Sequence, residues 1–224
     1  MKPTPDRRTR VIEAVLAIAG ERGLDEVSLR TVAAEAGVSM GTVQYYCRSK
    51  DDMLLLAFEH VSRETLRRAR REDRRGLPAG TVVHRAVDQF LPRGPARTRH
   101  ARVSLAFAAR AAVNPRLAAV HAATLAGLRS TVAAVIRTGQ KCGETPSSLD
   151  PDQTAARLVA LLDGLIQHVL VDPAGMPVDR ARAILDEELD RVFDITRCTH
   201  PSVTGARSRT AKVIPADAAG EPTG

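Results

Sequence analysis

Thr42, Gln44, Tyr45, Tyr46 and Lys50, with Met40 just ahead of them, form the part of the sequence richest in usable chemistry. A glutamine amide can pair bidentately with N6 and N7 of adenine, which reads a base. Threonine and tyrosine hydroxyls and a lysine ammonium suit phosphate oxygens, which fix register without reading sequence. One short segment that exposes both kinds of group is equipped for duplex DNA.

Such a segment has to be held in place. Ser28 to Lys50, SLRTVAAEAGVSMGTVQYYCRSK, reads as two short helices joined by a tight turn. Leu29, Val32, Ala33 and Ala36 recur at i, i+3, i+4 and i+7, the apolar face of the first helix. Ser28 stands where an N-cap is wanted, and Ser39 offers a second one just beyond Gly37. Gly37 can take the left-handed conformation that ends a helix without steric cost. Ala33 is small where the helices must nearly touch, and Val43 faces back to the core. Helix, glycine turn and helix make the helix-turn-helix signature, whose second helix enters the major groove. The same motif can serve protein contacts, but two adjacent exposed tyrosines favour the groove.

The stretch GVSMGTVQYYCRSKDDML resembles the recognition-helix signature of the TetR family of transcriptional regulators, through Gly37, Val38, Ser39, Gly41, Thr42, Tyr46, Ser49, Lys50 and Leu54. It departs at Gln44, where Tyr is common, and at Cys47, where an aromatic usually packs beneath the helix. The resemblance covers Arg10 to about Ala57. It implies phosphate contacts at Thr42, Tyr46 and Lys50 and base contacts at Arg30, Met40, Gln44 and Tyr45, with Ser39 at the helix start beside them. It also implies a dimer built from the last two long helices, and a small-molecule effector held between the helices of about Arg63–Lys141 and part of the next.

The 224 residues suffice for one large or two modest domains. Aromatics are 3% with no Trp, so Leu, Val, Ile and Ala must fill the core, a composition that favours helices. A net charge of +7 suits a polyanionic partner. The excess is spread along the chain, so it supports nucleic-acid binding without locating it. Cys47, Cys142 and Cys198 are an odd count without C-x-x-C spacing and imply neither a disulfide framework nor a metal site. The N-terminus lacks the apolar core of a signal peptide, and no uninterrupted apolar run approaches the roughly 18 residues of a membrane span. A reducing cytosol is the expected compartment.

Taken in order, a loose arm precedes a helix from about Arg7 to Arg22, with Val11, Ile12, Val15, Ile18 and Ala19 inward. After the motif a long helix runs to about Arg75. Its arginine-dense end, SRETLRRARREDRR, reads as a solvated helix terminus rather than a second DNA contact. Prolines then separate helices at about Ala79–Leu91, Arg97–Val113, Arg116–Lys141, Pro151–Val171 and Val178–Ile195, and the loop Cys142–Asp150 has turn composition. From about Thr199 the composition is that of a disordered tail.

The helix Pro151–Val171 is apolar around most of its circumference and must be covered on more than one side. Leu158, Leu162, Leu165 and Val169 on it, with Leu185 and Leu189 on the next helix, are the expected dimer interface, and Gly164 is expected to mark a close helix approach. For an effector, Phe90, Phe107, Leu125 and Leu128 supply apolar wall, and Arg110, His121, Gln167 and His168 polar anchors.

Two i, i+4 pairs, His84–Asp88 and His168–Asp172, could orient a base, but neither has a third ligand, a phosphate loop or a nucleophile elbow nearby. No catalytic role, cofactor or metal is expected. The expectation is an all-α chain of about nine helices. A three-helix DNA-binding domain spans residues 1–50, a larger regulatory and dimerisation domain 51–198, and a tail 199–224. Its function is that of a homodimeric repressor on an inverted-repeat operator, released by a small molecule. The alternative is a helical ligand-binding or adaptor protein whose motif does not read DNA.

Overall fold

The computed structural model describes residues 6–71 and 77–197. The expected tail lies outside them, as does the end of the arginine-dense segment. Nine α-helices and no strand occur among the described residues: α1 (Arg7–Ala17), α2 (Leu29–Ala36), α3 (Met40–Tyr46), α4 (Lys50–Arg71), α5 (Ala79–Val87), α6 (Gly94–Ala111), α7 (Pro115–Cys142), α8 (Pro151–Val171) and α9 (Val178–Val192).

Local chemistry sets most of these boundaries. Asp6 caps α1 by accepting from the Thr9 N–H at 2.7 Å. The helix does not run on as an α-helix to Arg22, because its last turn, Ile18–Arg22, is wound as a π-helix. Gly20 lies in that turn, and a Cβ there would come within 2.4 Å of the Arg99 side chain on α6. Ser28 and Thr31 form a reciprocal capping box on α2, and Gly37 closes it with φ of 60°. Ser39 caps α3 by accepting from the Thr42 N–H at 3.1 Å. Asn114 and Asp150 cap α7 and α8, each with proline in the first turn. α5 stops at Val87, short of Leu91, where the Gln89 and Phe90 N–H groups turn to carbonyls three residues back.

Three buried clusters fill the interior. The largest joins α1–α4 to Val103, Phe107 and Ala111 of α6 and to Leu117 of α7. The second gathers α5, α7, α8 and α9 around Ile136, Leu158, Leu189 and Phe193. A third packs Leu91 with Leu162, Leu165, Val169, Ala181 and Leu185. Leu158, Leu162, Leu165, Val169, Leu185 and Leu189 are thus core residues of the protomer itself, at 9% exposure or less, rather than its outward face. An amphipathic helix turns its widest apolar stripe toward its own protomer first. Gly164 marks no close approach within the chain, because a Cβ there would meet nothing within 4 Å.

α7 and α8 are also long and apolar enough to match a bilayer by length and composition, each with mean hydropathy 1.4. In α7 much of that value comes from alanine, and α8 commits its leucines to the two clusters just described.

Glu144 ties the α7–α8 loop to the start of α5. It is 1% exposed, and its carboxylate accepts from the Ala79 and Gly80 N–H groups at 2.9 and 2.8 Å. A carboxylate at a helix N-terminus satisfies orphan donors and complements the dipole. Glu144→Ala leaves those two donors buried and is expected to lower stability by about 2–4 kcal/mol, seen as an earlier urea midpoint. Glu144→Gln should recover part of the loss.

Candidate nucleic-acid interface and cavity

α3 stands on the core by Val43, which is fully buried, and by the half-buried Tyr46. Its other side is open. Tyr45 is 83% and Met40 51% exposed, and Gln44 and Arg30, the latter on the first turn of α2, are exposed as well. The Tyr45 ring stands edge-on to Tyr46 at 5.0 Å, which holds two hydroxyl-bearing rings side by side. The Ser39 hydroxyl is occupied by its cap and by the Thr42 hydroxyl at 2.9 Å, so it positions Thr42. The Lys50 ammonium reaches back to the Asp25 carbonyl at 3.3 Å and its carboxylate at 3.7 Å. Of the residues expected to face DNA, Arg30, Ser39, Met40, Gln44 and Tyr45 are exposed, Thr42 and Tyr46 are half-buried, and Lys50 is folded toward the turn before α2.

Cys47 fills the place beneath α3 and is 1% exposed. Burial pushes its thiol up to about 11, aided by the Asp52 charge.

The first turn of α4 is clamped from the corner between α6 and α7. Asp51 accepts from Arg110 Nε and from the Asn114 amide, each at 2.8 Å, and Asp52 from Arg116 at 2.6 Å. These partners, Arg110 first for Asp51 and Arg116 first for Asp52, hold both carboxyls below the usual range. Arg110 is thereby used at the corner of α6 and α7 and does not reach the cavity, contrary to expectation.

The cavity has a volume of about 280 Å³ and lies between α4, α6, α7 and α8. Phe90, His121, Leu125, Leu128 and Gln167 line it as expected. Phe107 stands one layer behind, fully buried and stacked on Phe58 at 3.9 Å, with His121 edge-on to both. His168 is exposed on the far side of α8 and takes no part, because at this point the helix turns Gln167 to the cavity. Neither His–Asp pair forms. His84 bonds Asp186 at 2.7 Å while Asp88 meets Arg93 and Arg97, and Asp172 accepts from the Gly175 N–H. No cluster of three metal-ligating side chains occurs among the described residues.

Sequence reasoning missed Arg68, His100 and Asp163 on the cavity wall. Burial, with Arg68 next, pushes His100 down to about 4. Asp163 is the one acid in the run Leu158–Leu170, a signal that was available. It stands at the rim, open to solvent on one side; loss of water around it pushes its carboxyl up, with His121 acting the other way.

The helix order agrees with comparisons to known proteins. The profile described as bacterial regulatory proteins, tetR family, matches residues 11–57, and that of the BetI-type transcriptional repressor, C-terminal, matches residues 79–194. The chain belongs to the TetR family. The HTH-type transcriptional regulator PksA of Bacillus subtilis is 27% identical over 187 residues, covering 83% of this chain and 89% of PksA. A transcriptional regulator from Rhodococcus sp. Rha1 superposes with a TM-score of 0.73 at 34% identity, covering 84% of this chain and 97% of its own. A regulator of Saccharomonospora viridis, solved in complex with choline, gives 0.76 at 30% identity over 83% of this chain and 96% of its own. This TetR-family chain is a transcriptional regulator with an N-terminal DNA-binding helix-turn-helix.

The buried thiol generates a pH prediction. Its raised pKa means that the folded state holds the Cys47 proton longer than the unfolded state. Its contribution to stability is therefore full below the ordinary thiol range and is lost as pH rises to about 11. Cys47→Ala should flatten the alkaline fall of the unfolding free energy. In native protein near pH 8, mass mapping should find Cys47 unalkylated by iodoacetamide, since the thiolate is the nucleophile.

Proposed function

We propose that the protein is a homodimeric repressor that binds an inverted-repeat operator through α3 and is released by a small molecule entering the cavity between α4, α6, α7 and α8. The observation that carries the reading is the polar, outward side of α3 on a core-anchored frame. Gln44, Met40, Tyr45 and Arg30 reach base edges, and Thr42 and Tyr46 meet phosphates. Lys50 joins these once it leaves Asp25, an exposed partner that gives up little on exchange for phosphate. The protein acts in the cytoplasm, where its operator is, and has no catalytic role.

A second copy has a suitable place to dock. With the leucines of α8 and α9 turned inward, the outward side carries Ala156 and Ala160 on α8 and Ala183 and Glu187 on α9. Small side chains permit close approach of two helix pairs across a two-fold axis. One α3 spans only a few base pairs, and half-sites repeat about every 34–36 Å, so paired helices are what make a site specific.

Release follows from the wall of the cavity. Phe58, Val61 and Thr65 on that wall belong to α4, whose first turn adjoins the DNA-facing residues. An occupant that favours one tilt of α4 alters the separation of the two α3 helices. A 100-fold affinity difference between the two tilts supplies about 2.7 kcal/mol of coupling, and by reciprocity operator DNA weakens ligand binding equally. The choline bound by the Saccharomonospora relative supports a small-molecule occupant.

Selection of bound sequences from random duplexes is expected to return an inverted repeat; a single asymmetric site would contradict the dimeric reading. On the selected site, Gln44→Ala should lose about 1–3 kcal/mol at one base position and relax preference there. Lys50→Ala should weaken all sequences alike and lower the salt slope by about one unit. Equal, sequence-independent losses would overturn these roles. Ala160→Arg, on the outward side of α8, should give a folded monomer by analytical ultracentrifugation that no longer retains the full operator.

A further inference from the structure

Five ionisable side chains line the cavity: Arg68, Arg97, His100, His121 and Asp163. Arg97 is spent on the Asp88 carboxylate and on the carbonyls of Asp88 and Arg93, at 2.7–3.3 Å. Arg68 lies 3.7 Å from Glu64 and extends its other nitrogen toward Thr65 and His100. Its Nε lacks an acceptor, and Glu64, the acid it faces, also pairs with Arg67, so this part of the wall offers a donor and no place for a cation's N–H groups. His100 is neutral at pH 7. His121 is pushed toward neutrality by burial, and its Nδ1 is buried without a partner. Asp163 differs from all of these. Its carboxylate makes no hydrogen bond or ion pair among the described residues, and the glycine beside it leaves open space.

We propose that the cavity selects an apolar organic cation, a protonated amine whose N–H groups reach the Asp163 carboxylate and His121 Nδ1 while its hydrocarbon body lies against Phe90, Leu125 and Leu128. The proposal rests on the reading of this cavity as the effector site and names the chemistry of its occupant. A neutral occupant would strip water from Asp163 and return at most an uncharged donor's hydrogen bond, and an anion would add a second negative charge. A cation reverses both costs and gains charge-assisted hydrogen bonds. The upward push that Asp163 already feels from its surroundings is the same desolvation an occupant would complete. A smaller apolar space of about 100 Å³ shares Leu66, Phe90 and Leu128 with the cavity, so a body longer than the main chamber has somewhere to extend.

The test uses one carbon skeleton with three charges: 4-phenylbutylammonium, 4-phenylbutanol and 4-phenylbutyrate, titrated calorimetrically into the full chain near neutral pH. The ammonium is expected to bind at least about tenfold tighter than the alcohol, with the carboxylate weakest. Asp163→Asn, checked for an unchanged unfolding midpoint, should bring the ammonium down to the level of the alcohol. Equal affinities for ammonium and alcohol, tightest binding by the carboxylate, binding by none of the three, or an ammonium advantage that survives Asp163→Asn would each overturn the proposal. Leu125→Trp, which fills the chamber, separates this failure from failure of the effector reading. Alcohol and ammonium binding equally, and both being lost in Leu125→Trp, would overturn only the preference for a cation. Ammonium binding that is indifferent to Leu125→Trp would remove the cavity as the site and the effector reading with it.

Discussion

Helices of 8 and 7 residues cannot stabilise themselves in water, and that constraint shapes the whole molecule. The motif helices are supported by α1 and by the first half of α4, where Met53, Leu54, Ala57, Phe58 and Val61 are buried. Even this is incomplete, since the same cluster closes only with Val103, Phe107 and Ala111 of α6 and Leu117 of α7. The helix-turn-helix end therefore shares its core with helices that also wall the cavity. Phe58 marks the junction: one face stacks on Phe107 at 3.9 Å, and the ring also borders the cavity. The two ends are parts of one packed interior.

The salt bridges reinforce that sharing. Asp51 and Asp52 lie in the first turn of α4, where carboxylates already complement the helix dipole. Arg110, Asn114 and Arg116 bind them from the corner between α6 and α7. An apolar contact can slide, whereas these directional bonds fix where the start of α4 meets that corner. The cavity itself follows from composition. With no Trp, few aromatics, and the short side chains of Ser62 on α4 and Ala101, Ser104 and Ala108 on α6 along its wall, the space between the long helices is left unfilled.

Features governed by near neighbours in the chain were legible in the sequence. The caps at Ser28 and Ser39, the left-handed Gly37, the inward Val43 and most helix starts follow from residue type and period, and each is found. Features decided by distant partners were not legible. Arg110 shares a helix with cavity-lining residues, yet Asp51 draws it to the opposite side. Glu144 looked like a loop residue and is the buried cap of α5. The leucines of α8 satisfy an interface pattern and a core pattern equally well, and only the positions of α7 and α9 separate the two. Cys47 departs from the family's aromatic and still ends up buried, because that position requires an apolar side chain more than a large one.

The crossing of α6 over the end of α1 has a consequence for recombination. At Gly20 the Arg99 side chain and backbone lie where a Cβ would project, at 2.4 and 3.1 Å, and Arg102 donates to the Gly20 carbonyl at 3.0 Å. The two helices are thus fitted to each other at a point where a methyl group is too much. Transplanting the first 50 residues onto a relative's remaining helices, or accepting a foreign head by gene fusion, would succeed only if donor and recipient agree at this crossing. Modularity in such a chain is limited less by the linker joining its parts than by a single glycine and the arginine that covers it.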